Sequence, residues 1–132
     1  MICTAFRLLV VTDPDVFALI GGRMTPVGEG QGTALPRITY FLVSDPPTPP
    51  THNGISGLAV ARIQLNILAA DDPAAAALSE LVRLAVVGRK TSYAGMRIDS
   101  VWRVDSHSDY ESEPTIYKRI DDYKLQHTEV RP

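Results

Sequence analysis

The clearest hydrophobic pattern in the chain lies between residues 61 and 88, where a strand period changes into a helix period. Apolar residues first alternate with polar ones, which predicts a half-buried strand with its buried side at Ala61, Ile63, Leu65 and Ile67. After a turn the apolar residues follow one helical stripe, made of Leu78, Leu81, Val82, Ala85 and Val86. The segment therefore predicts a strand that leads directly into a helix.

The ends of this helix carry the residue types that start and stop helices. Asp72 stands where an N-cap belongs, and Pro73 follows it. Gly88 supplies a stop, and Arg89 and Lys90 lie near the negative end of the helix dipole. We interpret residues 88–92, GRKTS, as a solvated cap and turn, because this segment ends a helix instead of starting one.

Two shorter helices are predicted before it. Phe6, Leu9 and Val10 are spaced for one helical face, which favours an N-terminal helix. In the stretch DPDVFALIGG, Asp13 is a candidate N-cap and Pro14 the first helical residue, with the stop at Gly21 or Gly22.

Residues 37–44 predict a strand whose two faces are both at least partly covered. Ile38, Tyr40 and Leu42 share one face, while Phe41 and Val43 make the other face partly apolar. The next ten residues, 45–54, contain four prolines in five positions and predict a projecting, semi-rigid loop. The strands on either side of this loop are expected to pair as an antiparallel hairpin.

The C-terminal third predicts a second hairpin. A strand is expected with one apolar face, broken by Ser100 and formed by Met96, Ile98, Trp102 and Val104. The polar residues 105–114 are expected to form an exposed loop.

The last strand is predicted over residues 115–127. Its two faces are expected to carry Tyr117, Tyr123 and Leu125 on one side and Ile116 and Ile120 on the other. The order of elements predicts the α+β class: an antiparallel-dominated β-sheet packed by an N-terminal helix and one central α-helix, with long projecting loops.

Composition and charge narrow the functional classes. The 132 residues fit one domain, 45% of them are hydrophobic, and the formal charge is −2 with a pI near 5.9. This net charge provides no basic surface that would bind nucleic-acid phosphates. The one cysteine, Cys3, forms no internal disulfide, and we expect neither a signal peptide nor a membrane span. A cytoplasmic site of synthesis is therefore expected.

Several candidate reactive groups have simpler readings. Gly28, Gly30 and Gly32 resemble a phosphate-binding loop, but no Lys-Ser/Thr pair follows, so a flexible loop is favoured. Three alternating residues of a polar segment, Asp105, His107 and Asp109, could gather a cation, and an exposed loop is the preferred interpretation.

A nucleophilic active site is the other alternative function for these residues. A site assembled in the folded protein from Cys3, tyrosines and His52, His107 or His127 stays open as an alternative, although a half-buried thiol is favoured for Cys3. We therefore assign no catalytic, cofactor-binding or metal-binding residue.

Three stretches of the chain resemble the tail completion family of tailed bacteriophages, the tail terminators that join tail to head. They are ALIGGRMTPVGEGQGTALPRITYFLVSDPP, GLAVARIQLNILAADDPAAAALSELVRLAV and YKRIDDYKL. A Gly-Arg-hydrophobic-x-Pro element after the first helices of that family is matched by Gly22, Arg23, Met24 and Pro26.

The later elements keep the same order. The start of the family's next strand is matched by Leu35, Pro36 and Ile38, and its last strand begins with a tyrosine and basic residues, here Tyr117, Lys118 and Arg119. The loop at residues 45–54 is richer in proline than the family pattern.

The resemblance implies a structural protein of the virion, without enzymatic activity, that assembles in the host cytoplasm as a hexameric ring. Such a ring caps a siphovirus-like tail tube and meets the head-neck connector or stopper protein, and DNA passes through its bore without specific binding. The implied partners are therefore other copies of the chain, the tail tube protein and the neck protein. The alternatives are another connector ring, such as a head completion or stopper protein, or a small ligand-binding enzyme domain.

Under this hypothesis the loops and the last strand form the interfaces. The residues concerned are Gly28, Glu29, Gly30, Gln31, Gly32, Thr33, Asp45, Pro46, Pro47, Thr48, Pro49, Pro50, Thr51, His52, Asn53, Gly54, Tyr117, Arg119 and Tyr123.

Overall fold

A computed structural model describes residues 2–28, 34–44, 58–93, 96–112 and 115–129. The elements of this described part follow the chain in the order α1 (Ile2–Val11), α2 (Pro14–Ile20), β1 (Met24–Pro26), β2 (Arg37–Ser44), β3 (Leu58–Ala69), α3 (Asp72–Val86), β4 (Thr91–Tyr93), β5 (Met96–Ser112) and β6 (Thr115–Glu129).

The strands form one six-stranded sheet in the order β1-β2-β3-β6-β5-β4. β1 and β2 run parallel, and every other neighbouring pair is antiparallel. The predicted α+β class, with its antiparallel-dominated sheet and its two hairpins, is confirmed. The short strands β1 and β4 were not predicted, because three residues are too few to show a period.

The two N-terminal helices are confirmed, and α2 begins and ends as its sequence predicts. The Asp13 carboxylate accepts hydrogen bonds from the backbone N–H groups of Asp15 at 3.0 Å and Val16 at 3.2 Å. Gly21 ends the helix in the left-handed region, with φ of 57°. A helix of seven residues is thus fixed at both ends by local sequence.

The start of α3 corrects the predicted cap by one residue. Asp71, not Asp72, is the N-cap, and its carboxylate accepts a hydrogen bond from the Ala74 N–H at 2.7 Å. Either aspartate has the residue type of an N-cap. Asp72 therefore lies in the first turn, where its carboxylate interacts favourably with the positive end of the helix dipole.

The predicted apolar face of β5 was wrong in its second half. Register shifts relative to β6 occur between Ile98 and Ser100 and between Arg103 and Asp105. Each bulge inserts a residue and turns the following side chains to the opposite face. Ile98 and Val101 are consequently buried, whereas Trp102 is 37% exposed and Val104 40% exposed.

Residues 105–114 were predicted as a loop, and this was also wrong. β5 continues through Ser112, and residues 105–112 pair with residues 115–122 of β6. The polar composition led to the prediction of a loop. Backbone hydrogen bonding to β6 stabilises a strand instead, since an antiparallel strand can have both faces exposed to solvent. The part of this hairpin formed by residues 105–112 and 115–120 is called the β5–β6 arm below.

The described helices cover one face of the sheet, called the helix face, and none of them lies on the other, called the open face. The core lies on the helix face and includes Phe6, Ile20, Ile63, Leu65, Leu78, Val82, Tyr123 and Leu125. The second half of β2 is less covered than predicted, because Phe41, Leu42 and Val43 are each at least 41% exposed. Among the described residues, the sheet thus has one side packed by helices and one side that no helix covers.

Candidate assembly surfaces

Most of the predicted interface loops cannot be placed. Residues 45–54 and 29–33 lie outside the described part of the chain. Gly28 is described, and it is exposed with a φ of 89°; its chain neighbours aside, no described atom lies within 4 Å of the position of a Cβ. For these loops the interface assignment stays a prediction.

The three predicted residues of β6 have different environments. Tyr117 and Arg119 are half-buried on the helix face of the β5–β6 arm. Tyr123 is fully buried, and its ring centroid lies 5.6 Å from that of Phe6. Tyr123 therefore packs in the core, and its side chain offers no surface to another molecule.

The burial of Tyr123 also changes its acid-base behaviour. Desolvation raises the pKa of its hydroxyl well above the ordinary tyrosine value, and the negative charge of Asp121 acts in the same direction. This hydroxyl has no hydrogen-bond partner among the described residues.

Beside Tyr123, a buried polar cluster links helix α3 to the base of the arm. The Asp121 carboxylate is fully buried and accepts hydrogen bonds from the Ser79 and Ser106 hydroxyls, each at 2.5 Å. Arg103 reaches the Ser79 hydroxyl from β5, with Nη1 at 3.4 Å from Oγ. A buried carboxylate is costly unless it is hydrogen-bonded, so the cluster fixes α3 relative to β5 and β6.

The arm forms a groove with the beginning of α3. The rings of Tyr110 and Tyr117 pack with their centroids 4.8 Å apart. An open groove of about 410 Å³ is lined by Asp72, Ser108, Asp109, Tyr110 and Tyr117. Tyr117 was predicted as an interface residue and Ser108 and Tyr110 were not, because their alternation is visible only once residues 105–112 are recognised as a strand.

The open face combines exposed apolar side chains with a paired charge. Its exposed apolar residues include Phe41, Val60 and Trp102. Near its centre, Arg62 Nη2 lies 2.5 Å from the buried carboxylate of Asp122, in an ion pair between neighbouring strands. Apolar area of this kind, rimmed by polar groups, is typical of contact surfaces.

Over much of β5, the outer edge of the sheet has no neighbouring strand among the described residues. β4 pairs only with Met96–Ile98, and the Gly88 N–H donates to the Val101 carbonyl at 3.3 Å. Within the described chain, no strand pairs with the outer edge of residues 102–112. An edge of this length is a template for pairing with another chain.

Of the histidines in the alternative site, His107 and His127 lie apart, and His52 lies outside the described part of the chain. His107 Nδ1 lies 3.6 Å from Asp105, and both are exposed. Within the described residues, no three potential ligands lie close enough to hold a metal ion. His107 pairs with Ile120 on the open face, whereas the buried His127 pairs with Ile98 on the helix face, so the sheet separates them.

Cys3 is half-buried in α1 and packs against the core, as predicted. Among the described helices, none has the length and apolar character needed to cross a bilayer.

Comparison with known proteins extends the description of the fold. No protein-family model and no curated protein matches the sequence. Thirteen chains of solved structures match. One of them belongs to the structure titled "Virion of native gene transfer agent (GTA) particle"; it aligns over 93% of this chain and 91% of its own length, with a TM-score of 0.72 and 13% identity. The chain therefore shares its fold with a component of a virion particle.

Proposed function

We propose that this chain is a structural protein of a phage-like virion, and that it forms a ring which caps the tail tube and joins the tail to the head. The observation that carries the proposal is the near-complete overlap of its fold with a chain of a gene transfer agent virion. The sequence resemblance to tail terminators rests on different features and favours the same role.

The surfaces of the molecule support self-association. The unpaired edge of β5, the open face and the groove are separate surfaces of one chain. Contacts between different surfaces of identical copies are heterologous, and they close into a ring when the rotation between copies closes. We propose a hexamer that assembles in the host cytoplasm and remains in the virion.

The residue roles follow from this arrangement. Residues 28–33 and 45–54 contact the adjoining ring component or line the bore, while Tyr117 and Arg119 of the β5–β6 arm contribute to contacts between subunits. Tyr123 has a structural role in the core. DNA passes through the bore without specific binding, consistent with a net charge of −2.

A complementation experiment tests the proposal. Particles are produced without this chain and examined by electron microscopy, and the chain is then supplied from a plasmid. We expect separate heads and tails in its absence and joined particles when it is restored. Joined particles in its absence would contradict the role.

Localisation separates the proposal from another connector ring. A tail terminator touches the tube and not the portal, whereas a head completion protein touches the portal. A label on this chain is therefore expected on isolated tails; a label found only on isolated heads would favour the head completion alternative.

A further inference from the structure

The two ends of α3 carry surfaces of opposite character. At its beginning lies the groove formed by Asp72, Ser108, Asp109, Tyr110 and Tyr117, called the acidic-aromatic groove. At its end lies a basic turn, defined as Gly88, Arg89 and Lys90. The helix has 15 residues, so about 22 Å separates the two surfaces along its axis.

The acidic-aromatic groove has the chemistry of a cation-binding surface. Asp72 and Asp109 are exposed, and Tyr110 is 52% exposed. One Asp109 oxygen accepts the Tyr110 N–H at 2.8 Å. Arg119 is the cation on the groove's own face, and its guanidinium donates to the Ser108 hydroxyl at 3.0 Å. The tyrosine rings and the Asp72 carboxylate attract a basic side chain. Asp109 also lines the groove, and its cross-strand neighbour on β6 is Lys118.

The basic turn has complementary chemistry. Arg89 and Lys90 are exposed, and neither side chain has an ion pair or hydrogen bond with a described residue. By contrast, Arg83 is paired with Glu80 and Arg97 with Asp99. Two exposed apolar residues flank the turn, Leu84 and Val87. The surface therefore offers two cations that have no partner among the described residues, beside apolar area.

We propose that the basic turn of one copy docks in the acidic-aromatic groove of the next copy, head to tail around the ring. This rests on the proposed function, because it specifies the contact through which the ring closes. Arg89 and Lys90 would lie against the tyrosine rings and the two aspartates, while Leu84 and Val87 cover the rim. Because the two surfaces differ, each copy contacts one neighbour through its basic turn and the other neighbour through its groove.

Disulfide trapping tests the geometry. The native cysteine is first removed by Cys3→Ser, and Lys90→Cys and Asp109→Cys are then made in separate chains. We expect a disulfide-linked dimer when the two variants are mixed, and none from either variant alone. A chain with both changes should give a ladder of linked species up to the closed ring. The matched control uses Asp15→Cys in place of Asp109→Cys, because Asp15 is also an exposed carboxylate and lies in the first turn of α2.

Charge exchange tests the chemistry of the same contact. Arg89→Glu with Lys90→Glu, and separately Asp72→Lys with Asp109→Lys, should each weaken self-association by about tenfold or more, because like charges are then brought together. Combining all four changes should restore self-association. Circular dichroism melting checks that each variant is folded.

The outcomes separate this contact from the ring itself. Closed rings of the unmodified chain seen by electron microscopy, with no cross-link between positions 90 and 109, would overturn the contact and leave the proposed function standing. Linked dimers from one single-cysteine variant alone would show a symmetric contact and would also overturn it. If no cross-link forms and no rings are seen on tails, both the contact and the ring are overturned.

Discussion

The Ser79 hydroxyl of α3 donates a hydrogen bond to the fully buried carboxylate of Asp121 on β6, at 2.5 Å. The second oxygen of that carboxylate accepts from Ser106 of β5. A helix and the two longest strands therefore meet at one buried charge, directly where the β5–β6 arm leaves the body of the sheet. The position of the acidic-aromatic groove relative to α3 depends on this junction.

Removing one donor from this junction should destabilise the fold. We expect Ser79→Ala to lower the free energy of unfolding by about 1–3 kcal/mol, because a buried carboxylate loses a hydrogen bond. Urea unfolding followed by circular dichroism measures the change. Ser92→Ala, at an exposed position of β4, is the control and should change stability by less than about 0.5 kcal/mol. Equal stability of Ser79→Ala and the unmodified chain would contradict the role of the cluster.

Tyr123 predicts a specific alkaline sensitivity. Burial raises the pKa of its hydroxyl, so the folded state keeps a proton that the unfolded chain releases above a pH of about 10. This contribution to stability is complete below that pH and falls by about 1.4 kcal/mol per pH unit above it. Tyr123→Phe should remove this loss and should be neutral or stabilising at pH 7, because the hydroxyl has no partner among the described residues.

The measurement is urea unfolding between pH 8 and about pH 11, the range that spans the ordinary tyrosine pKa. Tyr110→Phe is the matched control, since its ring is 52% exposed on the arm. If the stability of Tyr123→Phe falls with pH as steeply as that of the unmodified chain, the assignment to Tyr123 is wrong.

Two adjacent residues of β5 test the observed register. Val101 is 3% exposed and faces the helices, whereas Trp102 is 37% exposed on the open face. Val101→Lys should destabilise the fold by about 3 kcal/mol or more, because it buries an unpaired charge. Trp102→Lys should cost less than about 1 kcal/mol. If Trp102→Lys destabilised the fold more than Val101→Lys, the buried face predicted from the sequence pattern would be correct.

The proline-rich loop tests function separately from stability. Replacing residues 46–53 by a short Gly-Ser turn should leave the fold intact, because the β2–β3 pairing from Arg37 to Ser44 does not depend on these residues. We expect an unchanged melting temperature and a loss of tail-head joining, scored by electron microscopy of particles. Fully infectious particles would show that the loop makes no essential contact.

The parts of the fold that could be predicted have strong local signals. Asp13, Pro14 and Gly21 determine α2 through capping and backbone conformation alone. The alternation at Ala61–Ile67 is also local, and all four of its apolar residues are buried. These elements needed no knowledge of their neighbours.

The parts that were missed depend on pairing between distant segments. The bulges near Asp99 and Val104 arise from the register with β6, which a single-strand pattern does not contain. The polar arm segment 105–112 becomes a strand for the same reason. Tyr117 was correctly placed on a strand, but its partner Tyr110, and with it the groove, could be found only after that pairing was known.

The most direct test of the central claim is electron microscopy of purified tails that carry a labelled copy of this chain. The account predicts a closed ring of label at the head-proximal end of every finished tube, and tubes without this ring that fail to bind heads. Label elsewhere on the particle, or normal joined particles that lack the chain, would contradict it.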